Sequence, residues 1–312
     1  MTKNPCLSVV LNTKNSAKYL RECLGSVAPI ADEIVIVDMA SQDQTAAIAK
    51  QFAAKFYQYP HPDIGFADPA REFAFSKASG EWIFMIDSDE QIKKELATLI
   101  RQVATNSPHQ LPIAEAYFIA RTNIIFDKPI QKVGWYPDYQ MRLWRSGAIK
   151  WQPQVHSVPK IIGKSAYFPS SEELSIVHHN YQSVSQFIQR ADKYSNFAAE
   201  QISKQKNHTV TPTDLFASFF DEFWRRGFAD EGLLEGNHGV ALTILQAHYQ
   251  FLTQAKVWQK QGFNWQNLSN KQLKKLRQNF FHQAHYWWAD LMIKKTTGLG
   301  KLYYRLRRKL KI

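Results

Sequence analysis

The sequence predicts an α/β protein with a mainly parallel sheet, helices on both faces, and a helical extension behind it. Three observations carry this expectation. Strand-like apolar runs alternate with helix-spaced segments through the first half. Polar clusters follow directly on several of those runs. After Tyr181 the strand signals fade and long amphipathic segments take over.

Residues 7–11 are an apolar run of strand length, and residues 17–27 place Tyr19, Leu20, Cys23, Leu24 and Val27 at helical spacing. Residues 33–37 read as a second buried strand ending at Asp38. Ser41 is expected to cap a helix over residues 43–54, its hydroxyl taking a free amide at the helix start. Residues 55–59 predict a third strand, residues 69–78 a helix closed by Gly80, and residues 82–86 a fourth strand ending at Asp87. Further strands are expected at 116–126 and 139–144, and helices at 187–202, 215–224, 240–258 and 271–294. This organisation places a catalytic α/β domain at residues 1–180 and a helical extension at 181–312.

The 312 residues hold only Cys6 and Cys23, which suggests no disulfide framework and fits a reducing compartment. No signal peptide is evident, and no apolar run reaches the roughly 18 residues of a spanning helix. A cytoplasmic protein, soluble or membrane-peripheral, is expected. The net charge is +12, and eight basic residues without an acid lie between Lys294 and Ile312. Nucleic acid, anionic lipid and phosphorylated substrates are all partners of such a charge.

In parallel α/β sheets, ligands bind beyond the carboxyl ends of the strands. Three polar clusters fall there: Asn12-Thr13-Lys14-Asn15, Asp38 through Asp43, and Asp87-Ser88-Asp89-Glu90. The last is the sharpest. Carboxylates this close repel unless a cation or water compensates, and a hard divalent ion, Mg2+ or Mn2+, suits both carboxylate and phosphate. Taken alone the cluster reads more readily as a solvated turn and helix cap, since a bare Asp-x-Asp is common by chance. Its place at a strand end favours the metal.

Four ordered blocks resemble a family 2 glycosyltransferase of GT-A (Rossmann-like) fold, over residues 6 to about 160. They are Ser8–Asn15, Glu33–Thr45, Ala78–Glu90, and Tyr136–Trp144 with Val155-His156. The last block is similar to the branch that extends lipopolysaccharide core. The resemblance implies that Thr13 and Asp38 contact the nucleoside, with Asn15 in the same nucleotide loop. It implies that Asp87 holds the ribose, with Ser88 beside it, that Arg71 lies near the diphosphate, and that Asp89 holds the metal. It further implies a nucleotide-sugar donor, by default a UDP-sugar, and inversion by a single in-line displacement. Many relatives carry a second acid after the residue matching Asp38. Here Met39 stands there, which leaves the nucleotide open.

Such chemistry must stabilise a departing nucleoside diphosphate and deprotonate an acceptor hydroxyl. Asp138 is the candidate base, matching the Asp of the family's Asp-x-Gln block; the other reading makes it a turn residue supporting Arg142. His156 is a further candidate metal ligand or a structural histidine, and His178 and His179 share that ambiguity. Arg142 binds phosphate or a nearby acid. A glycan or lipid-linked acceptor of the cell envelope is expected. The tail, with Leu299, Leu302, Tyr303, Leu306 and Leu310 on one helical face, reads as an interfacial helix on an anionic membrane, or as a helix packed on the protein. The aromatic stripe at 215–224 reads as core, or as an acceptor groove. Arg225-Arg226-Gly227 with Asp230-Glu231-Gly232 reads as a turn. Two rivals remain: a nucleotidyltransferase, disfavoured by a glycine-free first loop, and a nucleic-acid binder, disfavoured by charge gathered at one end.

Overall fold

Apolar residues that alternate along the first strands go to opposite sides of one sheet, and each side is covered by helices. The computed structural model describes residues 6–61, 68–150, 159–204 and 209–310. In chain order the elements of the first half are β1 (Leu7–Thr13), α1 (Ala17–Val27), β2 (Glu33–Asp38), α2 (Thr45–Gln51), β3 (Lys55–Gln58), α3 (Asp68–Phe75), β4 (Trp82–Met85), β5 (Glu90–Gln91) and α4 (Lys94–Ala104). There follow β6 (Ala116–Ile125), β7 (Lys128–Pro129), β8 (Asp138–Arg145), β9 (Ile149–Lys150), β10 (Lys160–Ile161), β11 (Ser165–Tyr167) and β12 (Ile176–His179). The rest is helical: α5 (Val184–Lys204), α6 (Pro212–Trp224), a π-helical turn (Arg225–Ala229), a 3-10 turn (Gly232–Leu234), α7 (Gly236–Lys260), α8 (Asn270–Lys295) and α9 (Gly298–Leu310).

The main sheet runs β3-β2-β1-β4-β8-β6-β12-β5, with β7 and β11 also on β6. The strands β3, β2, β1 and β4 are mutually parallel, and β8 enters antiparallel between β4 and β6. Leu7, Val9 and Leu11 of β1 pack with Leu20, Leu24 and Val27 of α1 and with Leu96 and Ile100 of α4. The intervening Val10 faces the other way, with Val35, Val37, Met85 and Ala74 of α3. A period of two thus splits the core into two layers, as a doubly covered sheet requires.

The chain forms two compact units. One is Met1–Ile124 with Tyr136–Asn180; the other is Ile125–Trp135 with Tyr181–Ile312. Within the second unit, residues 131–133 are stitched to helical residues: Lys132 N donates to Glu235 Oε2 at 2.8 Å and Val133 N to Asp230 O at 2.9 Å.

Local details differ from the sequence-based expectation for physical reasons. Ser41 does not cap a helix. Its hydroxyl donates to Asp38 Oδ1 and accepts from Asn15 N, because two loops compete for it, and α2 begins only at Thr45. The segment 225–232 is no simple turn. It continues α6 as a π-helical turn in which Arg225 and Arg226 grip Glu222. Short strands β5, β7 and β9 to β12 escape a periodicity reading because two to four residues carry no period.

Gly80 sits where β4 enters beside β1. A Cβ there would lie 2.7 Å from Ser8 N and 2.6 Å from Ser8 Oγ. Gly80→Ala should therefore destabilise the protein by about 1–3 kcal/mol through overpacking, measured by urea denaturation.

Candidate functional site

The carboxyl ends of β1, β2 and β4 all reach one edge of the sheet, because the register aligns Thr13 with Asp38 and Val10 with Met85. Two of the polar clusters interlock there. Thr13 Oγ1 donates to Asp38 Oδ1 at 2.8 Å, and Ser41 N donates to Asp38 Oδ2 at 2.8 Å. Gln42 N donates to Asn15 Oδ1 at 2.8 Å. Asn15 and Ala40 adopt positive φ, 50° and 60°, which lets each loop turn toward the other. Ser88 Oγ reaches Ser16 Oγ at 2.8 Å and joins this pair of loops to the acidic turn. Met39 is buried at 3% exposure, so its side chain belongs to the core.

The acidic turn is held from below by arginine. Arg142 on β8, 2% exposed, uses one nitrogen for two carboxylates: Nη2 lies 2.7 Å from Asp87 Oδ2 and 2.6 Å from Glu90 Oε1. Its Nε and Nη1 are shielded and have no hydrogen-bond partner. Arg71 Nη2 approaches Asp87 Oδ1 at 3.3 Å, and Arg121 Nη1 approaches Glu90 Oε1 at 3.3 Å. Glu90 is fully buried and also accepts from Asp87 N at 2.9 Å. Burial would raise the Asp87 carboxyl, but the charges of Arg142 and Arg71 outweigh it and hold the group well below its ordinary value. The same carboxylates raise Arg142 against its own burial. Arg142 is thus taken up by acids of the turn.

Asp89 is different. No lysine or arginine pairs with it among the described residues, and its side chain is 30% exposed. Its nearest charged-type neighbour is His178, with Nε2 at 3.7 Å from Oδ2. A chain of hydrogen bonds sets that histidine's tautomer. The Asp138 carboxylate can only accept, so the Asn123 amide turns its Nδ2 to Asp138 Oδ2 at 3.2 Å. Asn123 Oδ1 then faces His178 Nδ1 at 2.7 Å, which must carry the proton. Nε2 is then the ring nitrogen that faces Asp89. Strand register builds this arrangement: Arg121 lies opposite Asp138, and His178 lies opposite both Asn123 and Glu90.

Asp138 makes its hydrogen bonds to Arg121, Asn123 and Gln140, and acts on Arg142 through its charge. It accepts from Arg121 Nε at 2.9 Å and Nη2 at 2.6 Å, and from Gln140 Nε2 at 2.7 Å. Burial raises its carboxyl, but Arg121 and the amides bring it below the ordinary value. His179 stacks on Tyr19 with ring centroids 4.6 Å apart, and burial lowers its pKa. His156 lies outside the described residues. Thr13, Asn15, Asp38, Arg71, Asp87, Ser88, Asp89 and Asp138 all belong to the first unit. Arg121 and Asn123 were missed by the sequence reading. The available signal was two long polar residues spaced by two within a strand otherwise apolar or small.

Donor loops and a carboxylate turn on one edge of a mixed, mainly parallel sheet define an enzyme of the nucleotide-binding α/β class. Residues 8–157 of the chain match the family described as glycosyl transferase family 2. An uncharacterized glycosyltransferase of Rickettsia felis is 28% identical over 263 residues, covering 80% of this chain and 89% of that protein. The lipopolysaccharide core biosynthesis glycosyltransferase LpsC of Rhizobium meliloti is 26% identical over 265 residues, covering 81% and 92%. Among solved structures, residues 1–349 of S. aureus TarS align at 17% identity and a TM-score of 0.40, over 98% of this chain and 88% of that one.

Two outcomes follow for the ion network. Glu90→Gln leaves Arg142 buried with one carboxylate fewer and should cost about 3–5 kcal/mol in chemical denaturation. Asp87 has a folded pKa below its ordinary 3.8, so its stabilisation is complete above that value and is lost as pH falls below it toward the folded pKa. Asp87→Asn should flatten the acid-side slope of stability against pH in that window, read by denaturation at stepped pH.

Proposed function

We propose that this glycosyltransferase inverts the anomeric centre of a nucleotide-sugar, by default a UDP-sugar, and passes the sugar to a glycan or lipid-linked acceptor of the cell envelope. The observation that carries the reading is Asp89, a carboxylate with no lysine or arginine partner among the described residues, faced by Nε2 of His178 at the strand edge beside the two polar loops. Asp38, Thr13 and Asn15 would bind the nucleoside, and Asp87 and Ser88 the ribose. Arg71 stands nearest the diphosphate in this scheme.

The residues present fit a divalent cation, Mn2+ or Mg2+. No group of three or more metal-ligating side chains occurs among the described residues, but Asp89 and His178 supply two donors. Cations that serve nucleotide phosphates commonly take the remaining donors from phosphate and water. When bound there, the ion would neutralise charge on the leaving diphosphate. Asp87 keeps its charge without it because Arg142 and Arg71 compensate it, and Glu90 pairs with Arg142 and Arg121. His178 takes precedence over His156 because Asn123 fixes its tautomer.

Asp138 is proposed as the base that accepts the proton of the acceptor hydroxyl. Arg121 keeps it ionised at neutral pH, at the expense of basicity. The Asp138–Asn123–His178–Asp89 chain favours a second reading, in which Asp138 positions His178. Both readings predict that Asp138→Asn loses turnover, and thermal shift separates them. A base leaves the Mn2+-dependent stabilisation by UDP intact, whereas a positioning residue weakens it. Asp89→Ala should abolish that stabilisation, and stabilisation by UDP without any cation would overturn the metal role. Arg121→Gln should move the acid limb of kcat/KM to higher pH, since it removes the charge that lowers Asp138.

Membrane contact is proposed for α9. No residue of this helix is buried, and Leu299, Leu302, Leu306 and Leu310 are 86%, 54%, 53% and 62% exposed. Arg308 pairs with Asp290 of α8 at 2.5 Å, which leaves the leucines turned to solvent. No helix among the described residues is long and apolar enough to cross a membrane. Deleting residues 298–312 should release the protein from vesicles containing phosphatidylglycerol. Unchanged cosedimentation would refute the contact.

A further inference from the structure

The aromatic stripe of α6 is not closed into a core. Phe216, Phe219 and Phe220 are only half-buried, and Thr213, Phe216, Phe220 and Trp224 form one row at helical spacing. A second row on α8, Gln272, Lys275, Asn279 and Gln283, has the same spacing. Both helices lie in the second unit. Between the rows is a cavity of about 530 Å3, within the range that small organic ligands occupy.

Its walls combine two chemistries. The floor is aromatic: Phe220 and Phe280 meet edge to face at 5.0 Å, and Trp224 and Phe280 lie 5.7 Å apart. The rim carries amides, a carboxylate (Asp221), an ammonium (Lys275) and an imidazole. His282 Nε2 is shielded from solvent and has no hydrogen-bond partner. Asp221 forms no ion pair among the described residues, and burial alone raises its carboxyl.

The occupant must therefore offer an apolar face and several neutral donors and acceptors. An acyl chain or an apolar helix face would strand Asp221, His282 and Asn279 away from water, each at a cost. A phosphorylated ligand would meet the Asp221 carboxylate as well as Lys275, so the walls offer it no net positive charge from these two groups. A pyranose satisfies both requirements. Its axial C–H face lies against an aromatic ring, and its hydroxyls both donate and accept. We propose that the α6–α8 cavity is a saccharide-binding subsite for a ring of a neutral oligosaccharide. That this ring belongs to the acceptor, away from the reacting hydroxyl, rests on the transferase reading above; the subsite itself does not.

Saturation-transfer NMR on the full chain tests it, with cellobiose, lactose and chitobiose as sugar probes and decanoate as the acyl probe. Ring protons of at least one disaccharide should be saturated. Phe220→Ala and Asn279→Ala should each weaken that binding about tenfold while leaving stabilisation by UDP with Mn2+ unchanged. Asn279 is exposed, so its variant stays informative if Phe220→Ala does not fold. Signals identical in wild type and Asn279→Ala, silence from all three sugars, or saturation of decanoate alone would overturn the subsite. Sugar binding that persists where UDP fails to stabilise the protein upholds the subsite and removes its assignment to the acceptor.

Discussion

Three carboxylates within four residues of a turn can remain ionised only if something pays the electrostatic cost, and in this protein that is chiefly one buried guanidinium. Unit charges about 4 Å apart interact by roughly 4 kcal/mol near a protein surface. Arg142 meets Asp87 and Glu90 at 2.7 and 2.6 Å from a single nitrogen. It neutralises the two acids nearest the sheet and leaves Asp89, the outermost in charge terms, without a basic partner. The turn is thereby divided, with Glu90 buried as an anchor and the Asp89 side chain 30% exposed.

The same division recurs in the strands beneath. Arg121 compensates Asp138, Asn123 reads the direction of the Asp138 carboxylate, and His178 is oriented by Asn123. An acceptor-only group at one end of this relay determines which nitrogen of an imidazole is bare at the other. Antiparallel β8 is essential to it. By inserting between β4 and β6, it brings Asp138 opposite Arg121 and carries Arg142 under the turn that follows β4.

The helical half obeys a different constraint. Its aromatic residues are too many for the interfaces the helices make with one another, so α6 keeps part of its stripe open over a cavity and α9 keeps its leucines in solvent. Apolar surface left uncovered in this way is a usual mark of ligand or membrane contact. The amides of residues 131–133 donate to the Glu235 carboxylate and to Asp230 O, so this stretch is tied to helical residues, whereas β7 just before it pairs with β6.

Continuous apolar runs determined the strands β1, β2 and β4, and period-3.6 patterns the helices that cover them and the long helices after residue 181, because those signals are local. The three polar clusters were legible for the same reason, each following directly on an apolar run. Strands of two to four residues carry no period, and Ser41 was misread as a cap because its competing partners, Asp38 and Asn15, come from a tertiary approach of two loops. The tertiary structure alone decided which acid is compensated and which is open, that Asp138 answers to Arg121, and that His178 faces Asp89. Those relations depend on strand register, which brings residues 17 to 89 positions apart within hydrogen-bonding or ion-pair distance.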